Sequence, residues 1–235
     1  MKKTRYILGL ILTIGTITTS TYYKDDISSF INDLTKTEVK SYEMDNIPEY
    51  NGEDYVVLNN NKPNFNESEL NKKSFEKYSK LDRLGRCGKA IANISYDMMP
   101  SEKRGSIGMI KPTGWHTIKY NNIDGKYLYN RCHLIGYQLT GENANEKNLI
   151  TCTRYMNTVG MLKFENEVAK YIKETKHHVL YRVTPVFKDN DLLARGAIME
   201  AKSIEDKKLE FNVFVYNIQN GIDIDYKTGD SKLKD

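Results

Sequence analysis

Three apolar segments toward the C-terminal end, residues 178–187, 192–201 and 209–218, read as strands. Asp189-Asn190 and Asp206-Lys207 separate them as turns, which predicts an antiparallel meander. Upstream, apolar positions 161, 164, 168, 171 and 172 recur at helical spacing and predict a helix over 161–175. Trp115 to Tyr120 alternates like a half-buried strand and runs into the turn residues Asn121 to Gly125. Lys89 to Ser95 and Asn148 to Thr153 read as shorter strands. Residues 66–80 carry helix formers with a polar majority and offer Leu70, Phe75 and Tyr78 to a core. Asn59 to Asn64 is loop chemistry, because Asn tolerates left-handed backbone and Pro63 ends regular structure. Ser101 to Gly114, with three Gly and a Pro, reads as a long surface loop. The pattern is that of an α+β fold with antiparallel sheet and one important helix.

The ends differ from the middle. Met1 to Arg5 is a cationic start, and Tyr6 to Ile14 is an apolar run shorter than the ~20 residues of a membrane span. Residues 1–22 are therefore expected to be a secretory signal peptide or an uncleaved N-terminal anchor, and either places the folded part outside the cell. Residues 23–53 read as a polar, acidic linker, 54–228 as the folded domain and 229–235 as a frayed, charged tail.

Composition narrows the class. At 235 residues, 39% hydrophobic and with 17 Tyr, the chain can bury one domain's core and is neither collagenous, disordered nor polytopic. Three cysteines cannot build a disulfide scaffold. The net charge of +4 falls to +1 without the first 22 residues, so global charge names no partner. Its distribution says more. Residues 83–154 carry 11 basic against 5 acidic side chains, while 23–82 carry 8 against 13, so the middle third suits a phosphate-rich ligand.

Candidate chemistry centres on one of four histidines. Cys132, His133 and Cys152 form no C-x-x-C or H-x(3–5)-H pair, which argues against a structural zinc site. No G-x-S-x-G elbow and no P-loop occur. His133 stands in Tyr129-Asn130-Arg131-Cys132-His133-Leu134-Ile135-Gly136-Tyr137, where Arg131 shares a face with it in extended chain and a phosphate fits between them. Asn148 and Asn157 follow, and an amide oxygen is an adequate ligand for a hard cation such as Mg²⁺, which otherwise keeps its waters. Asn157 alone reads equally well as a helix N-cap, and Arg131 and Arg154 alone as surface cations. Tyr129, Tyr137 and Tyr155 are candidates either for base stacking or for the core.

Five blocks in order carry a resemblance: Leu84 to Gly88, Lys103 to Gly108, Asn130-Arg131-Cys132-His133, Asn148 to Asn157, and Phe164-Glu165. From about Asp54 to Thr228 the chain resembles the DNA/RNA non-specific endonucleases of the ββα-metal (His-Me finger) class, especially secreted streptodornase-type DNases. The family's Asp-Arg-Gly-His signature stands here as Asn130 to His133. The resemblance implies a ββα-metal core with a central antiparallel sheet and an active-site helix. It implies a secreted enzyme cleaving DNA, and by extension RNA, with little sequence preference and leaving 5′-phosphate ends. His133 would be the general base, and Asn157 the only protein ligand of one Mg²⁺, with Mn²⁺ a substitute. Asn148 would support that geometry, and Glu165 would hold a water carried by the ion. Arg131 would clamp phosphate, with Arg154, Arg104 and Lys103 also contacting nucleic acid. No small-molecule cofactor and no lasting membrane partner are implied.

Two departures shape the alternatives. Asn130 replaces the family's Asp, which keeps open a catalytically impaired protein that binds or takes up nucleic acid; an adhesin for anionic polysaccharide is a third reading. Cys132 replaces a small residue and is expected to pack, with a Cys132–Cys152 disulfide left open. Glu165 and Glu167 fall about 80° to opposite sides of Asn157 on an ideal helix, so phase alone leaves both open and only the Phe-Glu match implies Glu165.

Overall fold

The computed structural model describes residues 47–234, so the expected export segment and the linker up to residue 46 lie outside the described residues. The three C-terminal apolar segments form β6 (Val179–Val186), β7 (Gly196–Ser203) and β8 (Glu210–Tyr216), paired antiparallel as the turn residues predict. β1 (Tyr55–Val57) pairs with β8, while β3 (Ala90–Ile94) pairs with β6 and with β2 (Phe75–Tyr78). The result is a six-stranded antiparallel sheet in the order β1-β8-β7-β6-β3-β2. Strand alternation puts Tyr181, Val183, Met199, Ala201, Phe211 and Val213 on one buried face.

That face is covered by the helix Leu162–Thr175, which carries Phe164, Val168, Ala169 and Ile172 into the core. Phe164 packs on Phe211 with ring centroids 5.0 Å apart. Each such side chain contributes about 1.5–3 kcal/mol on burial, several times any propensity term, so packing rather than helicity fixes this helix.

A second, two-stranded unit hangs beside the main sheet. β4 (Tyr129–His133) and β5 (Leu149–Thr153) pair antiparallel with His133 opposite Leu149 and Asn130 opposite Cys152. The short helix α1 (Tyr137–Thr140) lies in the connection between them. After β5 the chain enters a π-helical turn, Met156–Met161, and then the long helix, here α2. Strand, strand and helix therefore follow in the order the resemblance implies. Cys132 does not merely pack, as expected from its small size: it is disulfide-bonded to Cys152, with Cα atoms 5.9 Å apart. Closing a loop of this length stabilises a domain by about 3 kcal/mol. Cys87 remains a buried free thiol.

Three segments differ from their sequence pattern. Residues 66–80 form a 3₁₀ turn, Glu67–Glu69, and then β2 instead of a helix. Asn93 on β3 donates from its amide to the carbonyls of Asn71 and Lys73, and this tertiary bonding overrides the local helix preference. Trp115 to Tyr120 is extended but joins its neighbour only through a bridge at Lys119 and Tyr127, supported by Leu128 N donating to Ile118 O at 3.0 Å. The tail expected to fray from residue 229 instead forms β10 (Ser231–Leu233), paired with β9 (Ile222–Ile224). At the other end, the Tyr216 hydroxyl donates to Pro48 O at 2.7 Å, so ordered packing begins ahead of residue 54. No helix among the described residues is long and apolar enough to cross a membrane.

Candidate active site

His133 ends β4, and the connection to β5 closes over it. Its Nε2 lies 2.7 Å from the carbonyl oxygen of Asn143. A carbonyl only accepts, so Nε2 carries the hydrogen and Nδ1 is left with a bare lone pair. The residue is 6% exposed. Burial pushes its pKa down to about 4; the hydrogen bond to Asn143 opposes this and the Arg104 charge adds to it. At neutral pH the imidazole is uncharged, held in one tautomer and able to take a proton.

Asn148 secures this arrangement from below. It is fully buried, its Oδ1 accepts from Ile135 N at 2.9 Å and its Nδ2 donates to Ile135 O at 3.0 Å. Leu134 N also donates to the Asn148 carbonyl at 2.8 Å. Both ends of the side-chain amide are thus spent on Ile135, and the backbone carbonyl on Leu134, the two residues that follow His133.

His133, Arg131, Arg104, Asn157 and Glu165 line a single pocket of 260 Å³. The π-helical turn explains why Glu165 is there. An i→i+5 turn holds one residue more than an α-helical turn and sets the phase back by about 100°. Glu165 then falls about 20° from Asn157, while Glu167 swings to about 180° and is exposed. Gly160 permits this turn to approach β8, since a Cβ there would lie 2.5 Å from Val215 Cγ1. Gly136 makes the corresponding room on the opposite wall: its Cβ would lie 2.5 Å from Glu165 Oε2. Burial raises the Glu165 carboxyl to about 7, against the pull of a Gln138 hydrogen bond and the Arg104 charge.

Asn157 is the second residue of the π turn, not a helix N-cap, and its side chain makes no hydrogen bond within the described residues. Among those residues no three His, Cys, Asp or Glu side chains gather into a metal cage. The donors that do converge are one unpartnered amide and one carboxylate. That set fits a hard cation which keeps most of its waters and takes the rest from phosphate, and it does not fit a structural zinc site.

The cations are placed unevenly. Arg131 lines the pocket, but its Nε donates to Ile110 O and its Nη2 to Gly108 O at 2.9 Å, and its guanidinium lies 3.9 Å from the Trp115 ring centre. It therefore anchors the 101–114 loop as well as presenting charge. Arg104 comes from that loop and faces both His133 and Glu165 electrostatically. Arg154 lines the neighbouring pocket, half neutralised by Asp124 at 2.7 Å. Lys103 is exposed and lines neither pocket. Asn130 lines the neighbouring pocket and not the one that holds His133. Of the three tyrosines, Tyr129 is buried with its hydroxyl on Gly229 O at 2.9 Å, Tyr155 donates to Asp54, and Tyr137 donates to Glu102 O at 3.0 Å from the pocket rim.

Sequence reasoning passed over Gln138, which bonds Glu165 and donates to Asn166 Oδ1 at 3.0 Å. A lone Gln on a four-residue helix carries no signal. Gly136, immediately after the apolar pair Leu134-Ile135, is the trace that a close approach leaves in a sequence.

The fold recurs in solved structures. NucA from Streptococcus agalactiae, solved with magnesium bound, is 28% identical with a TM-score of 0.72, the match covering 88% of this chain and 97% of that one. The same protein with no metal bound gives 29% identity and a TM-score of 0.71, covering 87% and 96%. The Sda1 nuclease, solved with a zinc ion, is 30% identical with a TM-score of 0.57, covering 68% of this chain and 80% of its own. A family model for DNA/RNA non-specific endonucleases matches residues 63–205, more than half of the chain. With the sheet, the ββα order and the His133 pocket all in place, the chain belongs to the DNA/RNA non-specific endonuclease family.

Proposed function

We propose that this protein is an exported, Mg²⁺-dependent endonuclease that hydrolyses phosphodiesters of DNA, and of RNA, with little sequence preference. The observation that carries this reading is His133: a neutral imidazole with its proton fixed on Nε2 and its Nδ1 free, in one pocket with the unpartnered amide of Asn157. His133 Nδ1 takes a proton from a water molecule, and the oxygen of that water attacks phosphorus. Attack in line breaks the bond from phosphorus to the 3′-oxygen, which leaves as an oxyanion, takes a proton from solvent water to become a 3′-hydroxyl, and leaves the phosphate on the 5′ end. Asn157 Oδ1 would hold the cation, Glu165 would accept hydrogen bonds from water in the pocket, and Arg104 and Arg131 would face the phosphate. When bound, the divalent ion supplies charge neutralisation at the phosphate and at the leaving oxygen. Because these groups address phosphate rather than base edges, they carry no sequence information. Mn²⁺ satisfies the same oxygen donors.

The disulfide supports export, since such bonds persist in oxidising compartments. The reading of a binding protein without catalysis leaned on Asn130, and that residue lies outside the His133 pocket. Nicking of supercoiled plasmid separates the two: cleavage is expected with Mg²⁺ and none with EDTA. Retention of plasmid in a gel shift with no cleavage under either condition sinks the enzyme reading.

Glu165→Gln tests the carboxylate from a second side. Its folded pKa near 7 lies above the ordinary 4.5, so the stability it contributes is present below pH 4.5 and is lost as pH rises through 7. Glutamine does not titrate. In EDTA at pH 8 the variant should be more stable than wild type by about 2–3 kcal/mol, and the gap should close by pH 5. Cleavage in Mg²⁺ should fall at the same time. Denaturant unfolding of variant and wild type at the two pH values reads the first effect; a gap between them no larger at pH 8 than at pH 5 contradicts the buried-carboxylate argument.

A further inference from the structure

A second pocket, of 390 Å³, shares Arg104, Arg131 and Asn157 with the His133 pocket as a common wall. We propose that it receives the nucleobase of a nucleotide adjoining the scissile phosphate, unstacked from its neighbours in the strand; this rests on the nuclease reading above. Beyond the shared wall its lining changes character, to Trp115, Tyr127, Tyr129 and Ile107. Arg154, the one further cation, is already paired with Asp124. Arg104 and Arg131 offer their charge to the phosphate at the shared wall, whereas the rings beyond it offer a flat, uncharged aromatic ring stacking and burial.

The chamber is preformed. Trp115 is held under the Arg131 guanidinium, which is itself tied to the Gly108 and Ile110 carbonyls. Tyr129 is 3% exposed with its hydroxyl on Gly229 O. Little ordering cost remains to be met on binding. Tyr127 is the exception to burial: 45% of its surface is in solvent, with Lys119 Nζ 4.5 Å from its ring centre. Among the described residues the Lys119 ammonium is the one cation set against this ring, and the remaining exposed ring surface at the mouth of the chamber is a stacking platform. Asn130 lines the same chamber, and its amide makes no hydrogen bond within the described residues. It offers one donor group and one acceptor, the pairing that the edge of any base can meet. Stacking tolerates every base, so the site adds affinity without imposing a sequence. A base paired inside a duplex cannot enter, so the occupied complex is single-stranded or locally unpaired.

The test uses single-stranded oligonucleotides with one cleavable phosphodiester, all other linkages being methylphosphonates. The nucleotide on the 5′ or the 3′ side of that bond carries either a base or a tetrahydrofuran abasic residue. Removing the base on one side should raise KM about tenfold, and on the other side by no more than about twofold. Tyr127→Ala should bring the larger ratio close to one, and Tyr127→Phe should keep it, since the ring and not the hydroxyl does the stacking. Both substrates meet the same enzyme, so any loss of folded protein scales both rates and leaves the ratio untouched. Equal KM with and without the base on both sides overturns the inference, as does a Tyr127→Ala ratio equal to wild type. Cleavage without any base effect overturns this inference alone; no cleavage of any oligonucleotide in Mg²⁺ overturns the nuclease reading together with it.

Discussion

His133→Ala should lower cleavage of supercoiled plasmid by about 10²–10⁴-fold, the usual worth of a positioned general base. The ring is buried and its Nε2 hydrogen bonds Asn143 O, so the variant also loses a little stability, and a melt alone cannot separate misfolding from lost chemistry. Rescue can. The truncation leaves a space of imidazole's shape in a pocket open to solvent, and added imidazole should restore part of the rate in proportion to its neutral form. Wild type provides a second check through pH. Burial and Arg104 hold the His133 pKa near 4, below the ordinary 6.5, so the base stays neutral as pH falls from 7 to 5 and protonates only near 4. A loss in kcat/KM that tracks a group of pKa 6.5 would contradict the environment described for His133. Full cleavage by His133→Ala in Mg²⁺ would remove the mechanism altogether.

Much of the scaffold was legible because its signals are local and repeated. The meander of β6, β7 and β8 follows from three apolar segments cut by Asp-Asn and Asp-Lys turns, and the core face of α2 from the 164, 168, 172 spacing. Asn59, Asn60 and Asn61 all adopt the left-handed backbone their composition suggested, with φ of 46°, 51° and 63°. What could not be read was tertiary. β2 forms because β3 offers it a partner and Asn93 ties down the approach, although the segment is made of helix formers. β10 forms because β9 offers the tail an edge to pair with.

The site shows the same division more sharply. Arg131 and His133 share a pocket, as their i, i+2 spacing on a strand requires. Glu165 and Glu167 stayed equivalent on paper because an ideal helix was assumed from 157 onward. The π turn at Met156–Met161 breaks that equivalence, and only Gly160, pressed against Val215, hints at it in the sequence. Cys132 and Cys152 lie 20 residues apart and no spacing rule pairs them; the β4–β5 register brings them within reach as diagonal neighbours, Cys132 opposite Ile150 and Cys152 opposite Asn130. Cys132→Ser for that reason removes a crosslink and not only a packing contact.

Asn157→Ala should cost cleavage a factor similar to His133→Ala, about 10²–10⁴-fold, and here stability is not a confounder. The amide is only partly buried and makes no hydrogen bond within the described residues, so its removal strands no partner and should move the melting midpoint very little. If Asn157 Oδ1 holds the cation, the Mg²⁺ concentration giving half-maximal rate should rise more than about tenfold, the effect expected from loss of a ligand oxygen. Excess Mg²⁺ should then recover part of the rate. Asn157→Asp keeps an oxygen at the same position and should retain more activity than the alanine variant; an aspartate variant as inactive as alanine would mean that the amide serves something other than a cation. The double variant decides whether base and cation act as a unit. Independent contributions multiply, which puts His133→Ala/Asn157→Ala some 10⁴–10⁸-fold below wild type. Groups that act on one assembly of water and phosphate do not multiply, because removing either leaves the other nothing to work on. The single 260 Å³ pocket holding both residues argues for the second outcome, a double variant little worse than either single one. A multiplicative loss would place the two residues in separate steps and dissolve the shared site proposed for them.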